Sequence, residues 1–130
     1  MYGFSIGIQG DFEAVVARVT AELKKEGFGI LADMNVQATL KEKLGVDRLP
    51  YRILGACNPP LAHQALTAER DIGLLLPCNV IVYQGDDPGT SIVAALDPVE
   101  ALSLTGRADI APLAQQVRAR LARALEALAA

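Results

Sequence analysis

A chain of 130 residues, 52% hydrophobic and 21% charged, has the length of one domain spanning 1–130 and can bury roughly two-thirds of its unfolded surface in a single core. A net charge of −3 argues against nucleic acid, which is held by a basic face that releases counterions; the one basic cluster, Arg118, Arg120 and Arg123, is interleaved with Glu126 and apolar residues and reads as a solvated helix face. The charge-free stretch 72–85 is broken by Pro77 and Asn79 and is too short to span a bilayer, and no secretory pattern opens the chain, so the expected compartment is the cytoplasm, with no membrane partner.

In chain order, Tyr2, Phe4, Ile6 and Ile8 alternate with Gly3, Ser5, Gly7 and Gln9, the period-2 pattern of a strand with one buried face. Asp11 can cap the next element, where Val15, Val16, Val19 and Leu23 recur on a helical period until Gly27 stops it. Phe28 to Met34 reads as a strand. Asn35 suits the N-cap of a short helix through Leu44, ended by Gly45. After a loop with Pro50, a strand over Tyr51–Cys57 runs into Asn58-Pro59-Pro60, a cap and first turn that open a helix to about Arg70. Two apolar runs, Pro77–Gln84 and Thr90–Leu96, flank 85–89, whose Gly, Asp and Pro residues favour a tight antiparallel turn. Asp97-Pro98 caps a helical turn. The last helix carries Ile110, Leu113, Val117, Leu121, Leu125 and Leu128 on one stripe, with Asp109 as its expected cap and Pro112 in its first turn.

This β-α-β-α-β-α-β-β-α order predicts an α+β fold: a two-layer sandwich with helices packed mainly on one face of a mostly antiparallel sheet of about five strands. The strands bearing Cys57 and Cys78 are apolar at odd and even positions alike, the pattern of interior strands covered on both faces. If helices cover one face, a second subunit is a natural cover for the other.

Leu40–Val46, the run Tyr51-Arg52-Ile53-Leu54-Gly55-Ala56-Cys57-Asn58-Pro59-Pro60 with Leu61–Leu66 behind it, Gly73–Val80, and Leu96-Asp97-Pro98 together closely resemble the bacterial and archaeal family called domain of unknown function 302. The resemblance covers nearly the whole chain. It implies a small α+β fold and a homodimer, and it implies no activity and no catalytic residue.

Chemistry-bearing residues are few. Cys57 and Cys78 are the only cysteines, and in a reducing compartment they are expected as free thiols. Cys57 lies at a helix start that could lower its pKa, yet Pro59 and Pro60 remove two N–H donors and Asn58 can occupy a third, so a buried structural thiol is the favoured reading. If the two strands are neighbours, Cys57 and Cys78 could share a pocket and bind Zn(II) or Cu(I), with His63 or a second subunit completing a zinc site. His63, the sole histidine, could instead pair with Cys57 as an activated nucleophile; a polar or half-buried helix histidine is the commoner outcome. Asn58 and Asn79 are expected as a helix cap and a strand-end polar group. Tyr51 and Arg52 could clamp an anion, and an ion pair is the plainer role for Arg52. No phosphate-binding glycine loop, dinucleotide fingerprint or carboxylate pair for acid–base work is present.

The resulting expectation is a non-catalytic homodimeric domain that binds a small ligand or partner protein around Cys57, Asn58, His63, Cys78 and Asn79, with no resident cofactor. Its alternatives are a thiol redox or soft-metal protein and a purely structural interaction module.

Overall fold

The computed structural model describes residues 1–129, and among them the expected elements occur in the expected order. They are β1 (Gly3–Gln9), α1 (Phe12–Lys25), β2 (Gly29–Asn35), α2 (Val36–Leu44), β3 (Tyr51–Cys57), α3 (Pro59–Ala68), a 3-10 helix (Arg70–Leu75), β4 (Cys78–Gln84), β5 (Thr90–Leu96), α4 (Pro98–Leu102) and α5 (Ala111–Ala129). The strands form one sheet in the order β1-β5-β4-β3-β2, with every neighbouring pair antiparallel. The cysteine strands β3 and β4 are therefore adjacent and interior, as their two-sided apolar patterning requires.

Register decides which side chains meet the helices, because residues paired across an antiparallel ladder point to the same face. One face carries Phe4–Ala95–Val80–Leu54 and Ile6–Val93–Val82 as cross-strand rows, with Ala56 opposite Cys78. Against it pack the buried stripe Val15, Val16, Val19 and Leu23 of α1 and the longer stripe Leu113, Val117, Leu121, Leu125 and Leu128 of α5. The opposite face carries Ser5–Ala94–Ile81–Ile53–Met34, and beside it Gly7–Ile92–Tyr83–Tyr51, where the two tyrosine rings stack at 5.4 Å. α2 buries no residue, and Leu44, Val46 and Leu49 at and beyond its end remain exposed.

The helix starts follow their capping chemistry. Asp11 accepts from the Ala14 N–H at 3.2 Å, Asn35 from Ala38 at 2.9 Å, Asn58 from Leu61 at 3.4 Å and Asp97 from Val99 at 2.9 Å. Two boundaries differ from expectation. α3 ends at Ala68, where Glu69 turns extended and the chain re-coils as the 3-10 helix, so Gly73 lies inside that turn and not at the end of α3. Asp109 does not cap α5; its carboxylate is held in a two-toothed pair by Arg107, at 2.9 and 2.7 Å, and the helix begins two residues later at Ala111. The stronger charge-assisted partner takes the carboxylate from the backbone.

Two irregularities shape the β2 edge. Pairing with β3 shifts between Ile30 and Ala32, leaving Leu31 as a bulge residue that is 71% exposed. Gly55, facing away from the helices, lies under the Pro77 ring: a Cβ there would approach the proline Cγ to 2.9 Å and the Ala32 methyl to 3.4 Å.

Truncating Leu121, which is fully buried, to alanine is expected to cost about 2–5 kcal/mol in urea unfolding, whereas Leu104→Ala, at a mostly exposed position, should change stability by about 0.5 kcal/mol or less.

Candidate functional site

At the end of the sheet where β3 runs into α3 and β4 begins, the layers part around a cavity of about 260 Å³. Its floor is Ala56 and Cys78 from the strands, with Cys57 at the edge; α3 contributes Leu61, Ala62, Ala65 and Leu66, and α5 contributes Leu113 and Val117. Phe28, Leu76 and Leu102 close the sides, and Leu31 and Leu66 stand at the exposed rim. The hollow lies where α3, short and buried only at Leu61 and Ala65, gives way to the 3-10 helix, which returns to the core through Ile72 and not along the line of α3.

Asn58 holds this corner together. Its side-chain oxygen caps α3, and its amide nitrogen donates to the Glu26 carbonyl at 3.4 Å, tying the start of α3 to the end of α1. Arg120 of α5 donates to the same carbonyl at 3.3 Å, and Arg123 reaches the Glu26 carboxylate at 2.9 Å. Close by, Gly27 adopts φ +89°, and a Cβ there would fall 2.9 Å from the Asn58 amide nitrogen, so glycine is required for both backbone and space. Arg118 is likewise engaged, through Asp97 at 3.0 Å and over the Phe4 ring at 4.9 Å. The arginines read as a solvated face thus also make cross-links, Arg120 and Arg123 from α5 to the end of α1 and Arg118 from α5 to the sheet.

Of the five candidate residues, three line the cavity: Cys57, Asn58 and Cys78. His63 does not. Two positions beyond Leu61 the helix has turned by about 200°, and the imidazole faces solvent while Leu61 and Ala65 face inward. Asn79 is exposed and pairs with Gly55 on the helix-free face. Arg52 clamps no foreign anion: its guanidinium forks onto Asp33 and also reaches Glu13 at 3.1 Å, and Arg52 holds the Asp33 carboxyl below its ordinary pKa. Phe28, Leu76, Leu102, Leu113 and Val117 were unreadable as site residues, since an apolar pocket wall and a core position look the same in sequence.

The thiols differ. Cys78 is buried, and desolvation, reinforced by the proximity of Cys57, pushes its pKa from 9.0 to about 11. Cys57 is half-buried at the cavity edge, and strand alternation turns it to the face opposite Ala56 and Cys78. Among the described residues, no cluster of three or more His, Cys, Asp and Glu side chains could hold a metal ion, and no helix is long and apolar enough to cross a membrane.

A five-stranded antiparallel sheet with helices on one face and an apolar cavity at one end defines a small α+β domain with a hydrophobic hollow. The family described as "Domain of unknown function DUF302" matches residues 4–128, and the chain belongs to that family. The crystal structure of an uncharacterized conserved DUF302 protein from Bacillus stearothermophilus is similar to it, with a TM-score of 0.89, 30% identity and 97% of each chain covered. Among curated proteins none matches.

The raised pKa of Cys78 makes stability depend on pH in the alkaline range. Below about pH 9 the thiol is protonated in folded and unfolded chains alike; between 9 and about 11 only the unfolded chain ionises, so stability falls as pH rises. Urea unfolding across that range should show a loss on the order of 2–3 kcal/mol that is flattened in Cys78→Ala.

Proposed function

We propose that this protein is a non-catalytic homodimer of the cytoplasm that binds a small ligand in the cavity between α3, α5 and the ends of β3 and β4. The observation that carries the reading is the cavity itself: it is near the lower end of the ~300–1,000 Å³ range of ligand sites, and its lining converges from five separate segments of the fold. Free thiols at Cys57 and Cys78 fit a reducing compartment.

Support for the second copy comes from the helix-free face. Five strands of seven residues present a face of about 24 by 23 Å, or roughly 550 Å² per subunit, so two copies laid face to face would remove about 1,100 Å², enough to clear the ~1,000 Å² of a specific interface. Its rows are mainly apolar through β3, β4 and β5, with Ile53, Ile81, Ile92, Ala94 and the stacked tyrosines, and Met34 continues them onto β2; Ser5 and Asn79 lie on the same face. On a lone chain such a face would be near the upper end of the ~300–600 Å² of the largest apolar patch on a typical monomer, a size that often marks an interaction site.

A second reading rests on one observation, that both cysteines border the same cavity from neighbouring strands. In it the pair binds Cu(I), which accepts thiolate ligands, more readily than Zn(II), which needs a fuller donor set. The high pKa of Cys78 opposes it, since the thiol must lose its proton to ligate.

Sedimentation should find a dimer that Ile81→Asp converts to a folded monomer; a monomeric parent protein across the accessible concentration range would remove the homodimer from the proposal. Calorimetric screening of metabolites should yield at least one compound that raises the melting temperature of the parent and not of Ala62→Phe, a substitution that fills the cavity from a half-buried position on α3. Anaerobic loading with Cu(I) followed by metal analysis should give a stoichiometry near zero; one ion per chain, lost in Cys78→Ala, would favour the second reading.

A further inference from the structure

We infer that the cavity, of about 260 Å³, takes a small, uncharged, mainly hydrocarbon molecule; the inference rests on the cavity being the ligand site.

The walls supply no charge. Of the residues that line the cavity, Asn58, Cys57 and Cys78 are the only ones with polar side-chain atoms, and none is a Lys, Arg, His, Asp or Glu. Asn58 is spent, its oxygen on the Leu61 N–H and its nitrogen on the Glu26 carbonyl. Burial keeps the Cys78 thiol protonated, a weak donor at best. The nearby cations are committed elsewhere, Arg120 and Arg123 to Glu26, and His63 faces solvent.

One feature could have welcomed an anion, the N-terminus of α3, whose first turn borders the cavity. It is closed. Pro59 and Pro60 have no N–H, the Leu61 N–H is capped by Asn58, and the Ala62 N–H bonds to the Asn58 carbonyl at 2.8 Å. A carboxylate or ammonium drawn inside would lose its water and find neither counter-charge nor free hydrogen-bond partner, a cost that apolar contact with the rest of the molecule cannot offset. The rim is of the same character, since the exposed lining residues are Leu31, Leu66, Gly73 and Pro77.

The test uses three probes that share one alkyl chain and differ in the head: 1-octanol, octanoate and octylammonium, each titrated calorimetrically into the full-length protein at neutral pH. Naphthalene serves as a rigid uncharged probe of similar size. Expected is saturable binding of 1-octanol and naphthalene that raises the melting temperature, with both ions weaker by about tenfold or more. Both Ala62→Phe and Leu66→Phe, which obstruct the cavity from α3 at half-buried and exposed positions, should abolish it; the pair guards against one variant failing to fold. Octanoate or octylammonium binding as tightly as 1-octanol, and lost in the obstructed variants, would overturn the uncharged class while leaving the cavity as the site. Binding by none of the four probes, or binding that survives in a folded obstructed variant, would overturn the cavity as the site, and the inference with it.

Discussion

Everything in this fold follows from the register of one antiparallel ladder. Because side chains alternate strictly along a strand, pairing Leu54 with Val80 and Val80 with Ala95 commits the whole of one face to α1 and α5 and leaves the other to Ile53, Ile81 and Ala94. A slip of one residue in any strand would exchange the two sets. The packed face then pins the register in return, since Leu54, Val80, Val82 and Val93 are almost wholly buried and a one-residue slip would part them.

The cavity is the place where that arrangement runs out of helix. α5 crosses the sheet with a continuous apolar stripe, but α3 is half its length and is followed by a 3-10 turn, so the corner above Ala56 and Cys78 is framed and not filled. What keeps the frame from collapsing is polar: the Glu26 carbonyl accepts from both Asn58 and Arg120, joining α1, α3 and α5 at one point. Gly27 makes the approach possible by having no Cβ. A hollow with apolar walls and a hydrogen-bonded hinge of this sort holds its shape without a guest, which favours binding by preorganisation.

Much of the fold was legible in the amino-acid sequence because its signals are local. Alternation in β1, the stripes of α1 and α5, and the caps Asp11, Asn35, Asn58 and Asp97 all act within one or two turns of chain, and all stand where expected. The Asp109 cap failed for a local reason too, since Arg107, two residues away, competes for the same carboxylate. Strand order was not legible; it is settled by contacts between segments far apart in the chain. The candidate site divides the same way. Asn58 declared itself through its neighbours, whereas His63 and Asn79 fell outside because helix phase and strand parity turn them away, and both parities were readable in principle from Leu61 and from Val80. The apolar walls had no distinguishing mark.

The bulge at Leu31 has a consequence for the outer boundary of the sheet. β2 is an edge strand, and a straight edge would offer a row of unpaired amides to any passing extended chain. By breaking the spacing between Ile30 and Ala32, the extra residue spoils the template halfway along, and an incoming strand could match only one half at a time. The same leucine that stands at the rim of the hollow therefore also discourages open-ended stacking into fibrils.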